Sequence, residues 1–150
     1  MTTRLGRTSP PPDEDWAASQ AGAYADGATP QDAARARART RAWGRFTRNF
    51  VVQGTAAEWA LCWLAALRGR LAAMPDAARP GRAPEPFARR PHLVYFLHDE
   101  VVVHAPAEQA ADVEAVLREA AAEAGRLLFG DFPVDFPVTV ATVDRYADAK

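Results

Sequence analysis

The hydrophobic and polar positions follow several different rhythms along the chain. Residues 8–31 show none: three consecutive prolines, the acidic run Asp13-Glu14-Asp15 and scattered Gly, Ser and Ala predict a loop or poorly ordered segment. From Asp32 to Asn49 the chain turns to Ala and Arg, both strong helix formers, and Asp32 stands where an N-cap would serve. A second helix is predicted to open at Thr55-Ala56-Ala57-Glu58, which has the form of a capping box, with Gly54 permitting a sharp break before it. Trp59 to Leu67 is then apolar all round, the pattern of a helix buried within a larger body. Pro75 to Pro91 reads as a loop. Beyond it, Leu93–Leu97 and Val101–Val103 are short apolar runs flanking His98-Asp99-Glu100, which predicts a β-hairpin. Pro106 opens a third helix, with Val113, Val116, Leu117, Ala120, Ala124, Leu127 and Leu128 on one face. Phe136 to Val143 reads as a final strand. The order helix, helix, hairpin, helix, strand is α+β, without internal repeats.

Composition narrows the class. With 49% hydrophobic residues, four Trp and seven Phe, the chain has the makeup of one globular domain rather than of a disordered segment. The N-terminal residues carry no apolar h-region, and no uninterrupted apolar run reaches the roughly 18 residues of a membrane span, so a cytoplasmic protein without a membrane partner is expected. The single cysteine, Cys62, has no internal disulfide partner.

The formal charge of −1 hides an asymmetry. Residues 1–90 hold 14 Arg against 8 acidic residues, whereas residues 91–150 hold 4 basic residues against 11 acidic ones. This balance is compatible with nucleic-acid binding beside a metal-dependent site, but charge alone favours the simpler reading of Arg- and Ala-rich usage in a GC-rich genome. Arg37, Arg41, Arg45 and Arg48 recur along one helical stripe, which calls for polyanion, solvent or acidic neighbours. Arg45 and Arg48 could instead pair with acids on the third helix, and Gln53 could cap the break before Gly54.

At the hairpin tip, two adjacent carboxylates sit between apolar strands in a turn that lacks the usual glycine. Side-by-side carboxylates repel, a penalty that a divalent cation such as Mg²⁺ or Mn²⁺ removes. On its own the tripeptide reads more readily as a solvated acidic turn than as a metal site. Trp59, Cys62 and Trp63 read as core, Glu58 as a capping residue, and His92 and His104 as structural, since their spacing is not that of metal ligands.

Leu93 to Val103, LVYFLHDEVVV, resembles the motif C hairpin of family A DNA polymerases, the bacterial DNA polymerase I family. Arg45 to Glu58, RFTRNFVVQGTAAE, is similar to that family's stretch preceding motif C, and Thr3-Arg4-Leu5-Gly6-Arg7 to its shorter Thr-x-x-Gly-Arg palm element. The resemblance covers most of the chain and implies a partial polymerase palm, with a palm element and loop in 1–31 and the C-terminal palm segment in 32–150. It implies that Asp99 binds the catalytic Mg²⁺ ions, that Glu100 lies at the edge of that metal site and that His98 sits beside the primer terminus. It places Arg45, Asn49 and Gln53 against the minor groove of primer–template DNA, with Arg41 and Arg48 on the same basic helix. Donors there would read acceptors shared by all base pairs, sensing pair shape rather than sequence. The implied activity is templated nucleotidyl transfer to a primer 3′ end in DNA replication and repair.

The sequence departs from the family in what it lacks. The motif A aspartate and the fingers Arg and Lys that hold the deoxynucleoside triphosphate do not occur in it, and Val143-Asp144-Arg145-Tyr146 stands where many members have Gly-x-x-Trp. Two-metal transfer draws carboxylates from two strands. The isolated chain is therefore expected to be inactive, as a truncated product, as a subunit completed by an upstream polymerase fragment, or as a non-catalytic relic that binds primer–template DNA.

Overall fold

The computed structural model describes residues 1–149 except 80, 81, 83, 85 and 86, so part of the predicted loop Pro75–Pro91 lies outside the described residues. Helices and strands are mixed, compatible with the α+β expectation. The described residues form α1 (Glu14–Gly22), α2 (Pro30–Ala73), β1 (His92–Leu97), β2 (Glu100–His104) and α3 (Ala110–Phe129), with short 3-10 turns at Ala107–Gln109 and Tyr146–Asp148. The chain divides within α2 into two compact units, Met1–Glu58 and Trp59–Lys150.

The long helix corrects two expectations. No break occurs at Gly54, and Thr55 lies inside the helix, so the predicted capping box does not form. One glycine costs a helix about 1 kcal/mol relative to alanine. Ending one helix and starting another would orphan up to four carbonyls and four N–H groups, a larger penalty. The actual start is upstream, where Thr29 and Asp32 cap each other. Asp32 Oδ2 accepts from Thr29 N (2.9 Å) and Thr29 Oγ1 (2.6 Å), while Thr29 Oγ1 accepts from Asp32 N (3.2 Å). Pro30 at the first helical position gives up an N–H that would have had no partner. Asp32 is thus the third residue of the helix rather than its N-cap, and these hydrogen bonds hold its carboxyl below the ordinary value. The longest uninterrupted apolar runs fall short of a membrane span, yet one window of α2 is long and apolar enough to cross a membrane by length and composition. A core helix meets the same test.

In the first unit, residues 8–31 are not simply loop. Asp13 accepts from Trp16 N at 2.7 Å and starts α1. Gln20 Nε2 donates to the Ala36 carbonyl at 3.1 Å, and Arg39 lies 4.0 Å from Asp13 and 3.8 Å from Asp15, so polar contacts tie α1 to α2. Ahead of it, Thr2 and Thr8 form an antiparallel bridge around a turn in which Gly6 takes φ +91°.

In the second unit the core lies between the end of α2 and α3. Trp63, Leu67 and Leu71 pack against Val113, Leu117, Ala120, Ala121 and Ala124. The alanines let the two helices approach closely, and the Trp63 indole N–H donates to the Leu117 carbonyl at 3.1 Å. Arg70 spans to Glu119 (3.1 Å) and Glu123 (2.7 Å) at the edge of this contact. Leu61 is 55% exposed and Ala65 is exposed, so this stretch has one buried face and is not covered all round. On α3 the predicted face is buried at Val113, Leu117, Ala120, Ala124 and Leu128 and half-buried at Val116, but Leu127 points outward.

The hairpin forms as predicted, β1 pairing antiparallel with β2, and lays Leu93, Val101 and Val103 on the core. The final strand does not form. Phe136, Val138 and Val140 alternate half-buried with exposed neighbours, the period of a strand, but they have no ladder partner among the described residues. Their inward side chains pack instead of pairing: Phe136 stacks on Trp59 (4.5 Å) and on Phe129 (5.3 Å).

Candidate functional site

The uninterrupted course of α2 sets the geometry of the basic face. At 3.6 residues per turn, Arg48, Arg41, Arg45, Asn49 and Gln53 fall within a sector of roughly 140°. All five are exposed. None of the stripe arginines Arg37, Arg41, Arg45 and Arg48 has an ion pair among the described residues; the acids of α1 go to Arg39 instead. Gln53 caps nothing, because the helix runs through it. The result is a row of guanidinium and amide donors with open hydrogen-bonding capacity, bordered by the tilted aromatic series Trp43, Phe46 and Phe50.

Beside this face, the Thr3–Arg7 turn is fastened to α2. Glu58 is 2% exposed and accepts from Thr3 Oγ1 and, at 3.0 Å, from Leu5 N, with Arg7 Nε at 4.0 Å. The same Thr3 hydroxyl accepts from Arg7 N at 3.0 Å, closing the turn. Thr3 comes so close to the helix that a Cβ on Gly54 would stand 2.6 Å from its Cγ2 methyl. Gly54 is therefore a close-approach glycine and not a hinge. Glu58 is a buried acceptor and not a cap, and sequence reasoning assigned both wrongly. The available signal was a lone carboxylate within an apolar helical run, which a fold buries only with partners.

At the hairpin, Leu97 pairs with Glu100, leaving His98 and Asp99 as a two-residue turn. The turn needs positive φ, and without a glycine it falls to His98, at φ 55°. Non-glycine residues rarely occupy this region, and held backbone strain of this kind clusters at functional sites. Asp99 projects into solvent from the tip. Glu100 is not a tip residue but the first of β2, and its carboxylate is taken by the Tyr146 hydroxyl, whose pKa that hydrogen bond raises above the ordinary value. Tyr146 also packs edge-on against Tyr95 at 6.5 Å. Among the described residues no three His, Cys, Asp or Glu side chains converge. Mg²⁺ commonly binds through one or two carboxylates with phosphate oxygens and waters, so Asp99, with Glu100 at the edge, fits as one side of such a site.

The structure also brings together a pair that sequence reading had set aside. His92 and His104 face each other across the hairpin. No protein-family model matches this chain, and no curated protein or solved structure matches it.

Proposed function

We propose that the chain is the motif C part of a family A DNA polymerase palm, contributing to templated nucleotidyl transfer onto a primer 3′ end. The observation that carries this reading is a contact. The Thr3–Arg7 element and the Arg45–Glu58 stretch with its Gln53–Ala57 element, each singled out by sequence resemblance and about 50 residues apart, are fastened together through the Gly54 gap and through Glu58, a residue read from the sequence only as a cap. Nothing in either motif considered alone requires the other, whereas a palm that presents Arg45, Asn49 and Gln53 to duplex needs that helix held in place.

On this reading Asp99 supplies one carboxylate to the Mg²⁺ site, with Glu100 at its edge and His98 beside the primer terminus. Arg45, Asn49 and Gln53 contact the minor groove, and Arg41 and Arg48 contact the phosphate backbone. Phosphate contacts position the duplex, while groove contacts test pair geometry. The second aspartate and the groups that bind the deoxynucleoside triphosphate come from an upstream polymerase fragment.

Primer extension with Mg²⁺ tests this, with and without a separate fragment carrying motif A and the fingers of a family A enzyme. Extension is expected only with both chains and is expected to disappear with Asp99→Ala. Extension that survives Asp99→Ala would remove the metal assignment. Salt-sensitive duplex binding without extension in any combination would leave a DNA-binding palm piece and reject the catalytic role.

A further inference from the structure

We propose that His92 and His104 form a bis-imidazole site for a borderline transition cation such as Zn²⁺, clamping the hairpin at the end opposite its tip. The register creates the pair. From the turn, Leu97 pairs with Glu100, Phe96 with Val101 and Tyr95 with Val102. Continued without interruption, that register would set Leu93 against His104 and leave His92 opposite Ala105. A bulge between Leu93 and Tyr95 shifts it by one residue, so that Leu93 faces Val103 and His92 faces His104. The two rings then lie edge-to-face with centroids 5.2 Å apart. With metal–nitrogen bonds of about 2.0–2.1 Å and tetrahedral angles, two imidazoles on one ion have centroids roughly 5 Å apart.

A second observation points the same way. His92 Nδ1 lies 3.0 Å from the Arg90 carbonyl oxygen. A carbonyl only accepts, so Nδ1 is the donor in this contact and Nε2 is the nitrogen left to face a cation. That hydrogen bond from the non-ligating nitrogen to a backbone carbonyl is the usual support of a metal-binding histidine. The Phe87 ring, with its centroid 4.6 Å from that of His92, further restricts the His92 ring. His104 is exposed, with no hydrogen bond among the described residues, so its ring is free to turn a nitrogen toward the shared position. Two neutral imidazoles select Zn²⁺, Ni²⁺ or Cu²⁺ over the oxygen-seeking Mg²⁺. Water fills the remaining positions. Bound there, the ion would join the ends of β1 and β2 and hold the register on which the tip depends.

The test is a ZnCl₂ titration of the full chain followed through the imidazole ¹⁵N and ¹H resonances of its three histidines. The His92 and His104 signals are expected to move together and saturate at one equivalent, with His98 unaffected and Mg²⁺ producing no change at either. His104→Gln, at an exposed position, should weaken Zn²⁺ binding by about tenfold or more, while His98→Gln should leave it unchanged. A response confined to His98, or unchanged affinity in a folded His104→Gln variant, would overturn the site. If that variant does not fold, the wild-type spectra still decide, since separate or absent shifts of His92 and His104 refute a shared ion.

Discussion

Replacing Gly54 by alanine sets two effects of known size against each other. In an exposed helix interior the change favours folding by about 1 kcal/mol, because glycine is the poorer helix former. Here the added Cβ would stand 2.6 Å from Thr3 Cγ2, where carbon atoms ordinarily rest about 3.5–4.0 Å apart. Thr3 cannot simply rotate away, since its hydroxyl is committed to both Glu58 and Arg7 N. Relieving overlap of about 1 Å in a fixed contact costs about 1–3 kcal/mol, so Gly54→Ala should destabilise by about 1 kcal/mol net. Thr3→Ser deletes the offending methyl and keeps the hydroxyl. In that background Gly54→Ala should become stabilising by up to about 1 kcal/mol. Urea unfolding of the four proteins, with hydrogen exchange at the Leu5 amide as a local probe, gives the coupling. Additive effects within about 0.5 kcal/mol would show that Thr3 and Gly54 do not meet.

Glu58→Ala removes two hydrogen bonds to a buried carboxylate, partly offset by the lost burial penalty of the charge; a loss of about 2–4 kcal/mol is expected in denaturant titration, with Leu5 losing exchange protection. Leu67→Ala, at a fully buried position between α2 and α3, should cost about 2.5–5 kcal/mol by the same measurement; a loss below 1 kcal/mol would contradict that packing. The lowered Asp32 carboxyl means the first turn of α2 has its full support above the ordinary value of 3.8 and loses it as pH falls through the lowered one. Amide exchange at Asp32 and Ala33 should accelerate over that acid range in the wild type but not in Thr29→Ala, where the cap is already gone. Tyr146 is raised by Glu100, so its contribution is complete below 10.0 and disappears as pH rises through the raised value. Glu100→Gln should move the tyrosinate absorbance transition of Tyr146 back toward the ordinary one; an unchanged transition would show that Glu100 is not its partner.

The periodic signals in the sequence were sound wherever burial alone decided the outcome. The α3 face through Val113, Leu117, Ala120, Ala124 and Leu128, the hairpin predicted around His98-Asp99-Glu100 and the burial of Trp63 all followed from hydrophobic spacing, though Glu100 belongs to β2 rather than to the tip. Punctuation residues misled because each serves more than one purpose. Gly54 looked like a break and Thr55–Glu58 like a cap, yet both lie inside α2, since a continuous helix keeps its internal hydrogen bonds and one glycine costs too little to end it. Asp13 was hidden in a proline-rich stretch but caps α1, and the Thr29–Asp32 pair starts α2 a turn earlier than the Ala and Arg composition suggested. The alternation of Phe136, Val138 and Val140 was real, but Trp59 and Phe129 use it for stacking.

What the sequence determined by itself was local: which segments repeat every 3.6 or every two residues, and where like charges line up. Tertiary structure decided everything that depends on two distant segments meeting. Glu58 became the anchor of the N-terminal turn because Thr3 and Leu5 arrive beside it. Gly54 became necessary because a methyl group occupies the place of its missing Cβ. His92 and His104 became partners because one bulge shifts a register by a single residue. Such contacts rest on the free energy of pairs far apart in the chain, which no local pattern encodes.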